Sequence, residues 1–176
     1  VAALAAIGLI AVSFILGPLS KLFPSIFEKY LYFRKPVGVW GFWIAAAHGV
    51  YSLVEFYKLD VNLMFFSNPK VYGLVAGILS LFVFFVMTVT SAKPFMERLG
   101  YENWKKLQTA GYVGLILAVV HFFILETKPN IGLDVRPYGL LFFYFAIAAI
   151  ALRVLLIFLN TKPRASYEEH VGGKAK

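Results

Sequence analysis

Hydrophobic positions along the chain gather into five long runs, at about Val1–Leu19, Val37–Phe56, Val71–Thr88, Leu107–Leu125 and Tyr138–Leu159. Almost no charge interrupts them, and each is close to the roughly 20 apolar residues that carry a helix across about 30 Å of hydrocarbon. The pattern predicts an all-α integral membrane protein, a bundle of five transmembrane helices. Proline marks the boundaries. Pro18 and Pro24 are expected to close the first run, Pro36 sits where a first helical turn tolerates it, and Pro69, Pro94, Pro129, Pro137 and Pro163 fall in connections. No soluble domain, internal repeat or low-complexity segment breaks this series.

Composition agrees with a membrane solvent. Of the 176 residues, 60% are hydrophobic and 15% charged, against roughly 45–50% and a quarter in soluble chains. Cysteine is absent. Disulfides, iron–sulfur clusters, thiolate catalysis and sulfur-held zinc are thereby excluded, which leaves histidine, carboxylates and bound cofactors as the available chemistry.

The formal charge of +8 raises nucleic acid as a partner, but its distribution is that of membrane topology. Lys21, Lys29, Arg34 and Lys35 follow the first run, Lys93, Arg98, Lys105 and Lys106 follow the third, and Lys162, Arg164, Lys174 and Lys176 end the chain. The alternate connections hold only Lys58, Lys70, Lys128 and Arg136, so the split is 12 against 4, with Arg153 inside the last run. The richer side is expected to be cytoplasmic and the amino terminus outside. Val1 is not a start methionine and no basic segment precedes the first run, so the chain is expected to be a fragment or processed product lacking an earlier span.

Of three histidines, His48 and His121 lie within runs, and intramembrane ionisable groups are costly enough to point to function. Counted from Val37, His48 is 11 residues in, about 17 Å; counted from Gln108, His121 is 13 residues in, about 20 Å. Both runs lead outward, so the imidazoles reach nearly one level, just outside the midplane. That arrangement suits two axial ligands on one haem iron. Gly41, Ala45 and Ser52 share the face of His48, and Gly114 and Ala118 precede His121 at the same offsets, clearing room for a flat ring; Ile44 and Leu117 would pack at its edge. The competing explanation is close helix packing on small faces, with histidines hydrogen-bonded between helices.

Three stretches carry a family resemblance: RKPVGVWGFWIAAAH (Arg34–His48), TSAKPFMERLGYENWKKLQ (Thr90–Gln108) and GYVGLILAVVH (Gly111–His121). Over roughly Leu16–Val154 the chain resembles the ferric-reductase-like transmembrane domain family, and within it the haem-binding MsrQ (YedZ) subunits that serve periplasmic methionine sulfoxide reductases. The resemblance implies haem b at His48 and His121, with Arg34 and Lys35 meeting its propionates; Gly41, Ala45, Gly114 and Ala118 are expected beside the ring from their place on the histidine faces, and one haem per chain is expected because Gln108 is no iron ligand. Residues 1–160 then form the haem-binding domain and 161–176 a basic cytoplasmic tail. It further implies a cell-membrane (inner membrane) b-type cytochrome subunit receiving electrons from a cytoplasmic flavin reductase or membrane quinol. A periplasmic or outer-face oxidoreductase would accept them, flavin or quinol would serve the cytoplasmic side, and membrane lipid surrounds the chain. Two departures stand out. Gln108 occupies the place of a further family histidine, and five runs stand where the family usually has six spans, the first being the one expected to be absent from this stretch.

The remaining polar residues have plain explanations. Arg34 and Lys35 also fit as cytoplasmic anchors, while Trp40, Trp43, Tyr30, Tyr32 and Tyr51 suit the interface or the surround of a ring. Arg153 is expected to snorkel to the cytoplasmic surface. Glu55 and Glu126 stand at the outer ends of the two histidine-bearing runs, and His170 lies in a solvated tail. With no dinucleotide motif or P-loop, the chain needs a redox partner. The alternative class is a non-redox transporter or assembly subunit whose histidines are structural.

Overall fold

The computed structural model describes residues 2–128, 131–135 and 137–160. The expectations for Arg136, His170 and the tail 161–176 lie outside the described residues. In chain order the helices are α1 (Ala2–Leu22), α2 (Pro24–Phe27), α3 (Arg34–Glu55), α4 (Val71–Thr90), α5 (Lys93–Leu99), α6 (Tyr101–Glu126) and α7 (Pro137–Asn160). A 3-10 segment, Glu28–Phe33, leads into α3, a π-helical turn, Asn62–Phe66, precedes α4, and β1 (Thr127–Lys128) pairs antiparallel with β2 (Gly132–Leu133). Helices α1, α3, α4, α6 and α7 are long and apolar enough to span a bilayer. The chain is thus a five-span, all-α integral membrane protein.

The expected stop at Pro18 is corrected, because α1 continues through it to Leu22. Proline lacks the N–H that would bond the carbonyl four residues back, so Pro18 frees the carbonyl of Phe14. Tyr112 of α6 donates its hydroxyl to that oxygen at 2.9 Å. A neighbouring helix thereby satisfies a group that hydrocarbon cannot. Helix α6 also begins earlier than its apolar run, at Tyr101, where Gly100 at φ 71° turns the chain out of α5 in a conformation that disfavours a side chain.

In the bundle α1 packs on both α3 and α7, α4 packs on α6, and lesser contacts of α3 with α4 and of α6 with α7 close the ring. Small residues permit the two tightest pairs. A Cβ on Gly41 would meet Ile10 Cγ1 at 2.7 Å, and one on Gly38 would meet Ser13 Oγ at 2.8 Å, so α3 lies directly on α1. On the other side Ser80 donates to the Gly114 carbonyl at 2.8 Å and joins α4 to α6. Phe14, Phe84, Leu115, Ala146 and Ala149 form the centre of the apolar core.

Alternating helix directions place Lys21, Lys29, Arg34, Lys35, Lys93, Arg98, Lys105 and Lys106 at one end. Among the described residues the other end holds Lys58, Lys70 and Lys128. By the positive-inside rule the first end is the inner one.

Candidate functional site

The bundle is filled at its inner half and open at its outer half. A cavity of about 1110 Å³ is walled by all five spanning helices and receives both His48 from α3 and His121 from α6. That volume lies just above the roughly 300–1,000 Å³ typical of small-molecule and cofactor sites. Its walls are mainly apolar, Phe84 and Leu81 lie at its inner side, and Glu126, Asp134 and Tyr138 stand near its outer side. Asp134 is paired with Lys128, whose ammonium is held above its ordinary pKa by that carboxylate.

His121 is oriented by α4. Its Nδ1 lies 2.8 Å from the Gly73 carbonyl, which only accepts, so Nδ1 carries the proton and Nε2 keeps its lone pair. One turn further along α4 is Gly77, where an added Cβ would lie 2.7 Å from His121 Cε1. Gly73 is equally constrained, since a Cβ there would meet Ile124 Cγ2 at 2.9 Å. The two glycines therefore form a seat for one imidazole. Lys70, just before α4, donates to the Leu125 and Thr127 carbonyls, the latter at 3.0 Å, and ties down the end of α6 with a cation at its negative pole.

His48 is half-buried and has no hydrogen-bond partner among the described residues, so both ring nitrogens remain available. It reaches the main cavity and also a shallower cleft of about 430 Å³ beside Trp40, Trp43, Ile44 and Tyr51. Trp40 and Trp43 are themselves 66% and 57% exposed, which makes them lipid-facing.

The other expected positions separate by depth. Ala45 and Ala118, three residues before their histidines, line the cavity. Gly41 and Gly114, seven residues before, do not; two turns along the axis is about 10.5 Å, which carries them below the cavity to helix contacts with Ile10 and Phe84. Arg34 is farther away, 14 residues before His48 or about 21 Å. Its guanidinium lies over Gly17 of α1, and Lys35 beside it is exposed. Gln108 donates to the Met87 carbonyl at 3.3 Å, and above it Gly111 is closed against Met87 and Phe14. Glu55 is exposed and 3.5 Å from Lys58. Gly73 and Gly77 were not picked out by sequence reasoning, although the Gly-x-x-x-Gly spacing inside an apolar run is a signal for close helix approach.

Among the described residues no group of three or more His, Asp or Glu side chains is placed to hold a metal ion. His48 and His121 are the two histidines that line the cavity.

Comparison with known proteins agrees with this architecture. Magnetosome protein MamZ of Paramagnetospirillum magneticum is 26% identical over 98 residues, which cover 56% of this chain. The chain spans only 15% of that relative's length. The family of ferric reductase-like transmembrane components matches residues 2–119, all of α1 to α4 and most of α6. The chain belongs to the ferric reductase-like transmembrane component family.

Proposed function

We propose that the chain is a b-type cytochrome subunit that carries electrons across the membrane, with one haem b held between His48 and His121. The observation that carries this reading is the seat of His121: Nδ1 donates to the Gly73 carbonyl, so Nε2 is the nitrogen free to ligate. A structural histidine fastening α6 to α4 would explain His121 alone. It does not explain His48, unpartnered among the described residues and facing the same cavity from another helix. Bound haem supplies one-electron oxidation and reduction at its iron.

The protein's own residues do the rest. Ala45 and Ala118 leave width for a flat ring, the apolar wall keeps water away, and Gly73 fixes the tautomer. The propionate role expected of Arg34 and Lys35 is not part of the proposal, because about 21 Å of helix separates Arg34 from His48. Family membership and the likeness to MamZ support a transmembrane electron-transfer role. Within it, a cytoplasmic flavin reductase or membrane quinol is the donor, and an outer-face oxidoreductase of the methionine sulfoxide reductase kind is the acceptor. The haem-containing half lies outward in the cell membrane.

The test is a visible spectrum and pyridine adduct of the purified protein, reduced with dithionite. A b-type band is expected at one haem per chain, lost in His48→Ala and in His121→Ala but retained in His170→Ala. Full haem content in either span variant overturns the assignment.

A further inference from the structure

A second polar site lies at the inner end of the bundle, where α3 and α7 flank α1. Arg34 lies against Gly17 of α1, one turn beyond Phe14, whose carbonyl accepts the Tyr112 hydroxyl, and Arg153 lies over the Tyr112 ring, so the two cations share one locality of the bundle. The Arg153 guanidinium carbon is 5.6 Å from the centre of the Tyr112 ring, which offers its face while its hydroxyl is committed to Phe14. The Nε of Arg153 is fully buried and has no hydrogen-bond partner among the described residues. Neither guanidinium forms an ion pair among the described residues. The acidic residues at this end, Glu28, Glu97 and Glu102, are all exposed, and Glu97 lies 3.8 Å from Lys93.

Two like charges half-buried in a spanning bundle are costly without a counter-charge. The snorkelling expected for Arg153 does not satisfy its Nε, which stays buried while the guanidinium lies over Tyr112. Planar guanidinium pairs match the oxygens of a phosphate group, and basic pockets between helices on the cytoplasmic side take phospholipid head groups.

We propose that Arg34 and Arg153 form a binding site for a phosphate group at the inner face of the bundle, supplied by an anionic phospholipid or by a soluble phosphate. Gly17 lets the Arg34 guanidinium lie close on α1, since a Cβ there would stand 3.3 Å from an Arg34 terminal nitrogen. The site is separate from the histidine cavity, which neither arginine lines.

The experiment is native mass spectrometry of the full chain in detergent, titrated with phosphatidylglycerol, with phosphatidylcholine, or with inorganic phosphate. Retention of phosphatidylglycerol over phosphatidylcholine is expected, about fivefold weaker in Arg34→Gln or Arg153→Gln and about 25-fold weaker in the double variant. Lys21→Gln, an exposed cation at the same end, is expected to change retention little. Displacement of the lipid by inorganic phosphate identifies a soluble phosphate as the natural occupant; failure of phosphate to compete identifies the lipid. Arg153→Lys keeps the charge and serves as a folding control that retains partial selectivity. Equal retention of both lipids with no phosphate binding overturns the proposal, as does a Lys21→Gln loss matching that of the arginine variants. Loss of haem rather than lipid in the double variant also overturns it, by assigning the arginines to propionates.

Discussion

Gly77→Ala isolates the seat of His121 from the ligand itself. An added methyl carbon would stand 2.7 Å from Cε1 of the imidazole, closer than such contacts occur, and a tight 3.1 Å from Cγ. Helix α4 is held to α6 by the Ser80 bond at 2.8 Å and by Lys70, so the ring is the part that yields. Its displacement breaks the 2.8 Å bond to the Gly73 carbonyl and with it the preference for a proton on Nδ1. Partners of metal-bound histidines are typically worth 10–100-fold in affinity, so haem binding is expected to weaken by about 1.4–2.7 kcal/mol. Overpacking adds about 1–3 kcal/mol of lost stability. Haem titration of the apoprotein, followed by a redox titration of the loaded form, reads the two effects apart from thermal stability. Gly111→Ala is the control: it crowds Met87 and Phe14 at the inner half, and is expected to lower stability without altering affinity or spectrum. Wild-type haem affinity and potential in Gly77→Ala would refute the argument.

Three further outcomes are expected. Tyr112→Phe removes the donor to the carbonyl freed by Pro18 and should cost about 1 kcal/mol in reversible unfolding in mixed micelles; the cost should shrink when Pro18→Ala restores the helical N–H, and an equal cost in both backgrounds contradicts the pairing. Gln108→Leu should leave one haem per chain, and Gln108→His should not raise that ratio, because Phe14, Met87 and Gly111 already close the space above it; a pyridine-adduct ratio near two after Gln108→His would show an emptied second pocket. A cysteine at Ser166, in a protein with none of its own, should be labelled only by reagents that cross the membrane; labelling by an impermeant reagent from outside inverts the topology.

The information legible along the chain is one-dimensional. A bilayer is a solvent with a fixed thickness, so run length and charge placement alone led to five spans and their directions. Axial depth is equally linear, since each residue advances a helix by about 1.5 Å, and on that count His48 and His121 were placed at one level before any packing was known. The same rule, applied strictly, would have removed Gly41 and Gly114 from the ring's surroundings, as both lie two turns below. Azimuth and neighbours were decided only by tertiary structure. Nothing along α6 announces that the Gly73 carbonyl meets His121, or that Gly77 makes way for it, because those contacts join residues 48 and 44 positions apart. Pro18 reads locally as a helix stop, yet Tyr112, 94 residues later, takes up the carbonyl it frees. Arg34 and Arg153 look like separate anchors in sequence. Packing of α1 between α3 and α7 brings them to one end of the bundle, and the burial that leaves the Arg153 Nε without a hydrogen-bond partner among the described residues exists only in the assembled bundle.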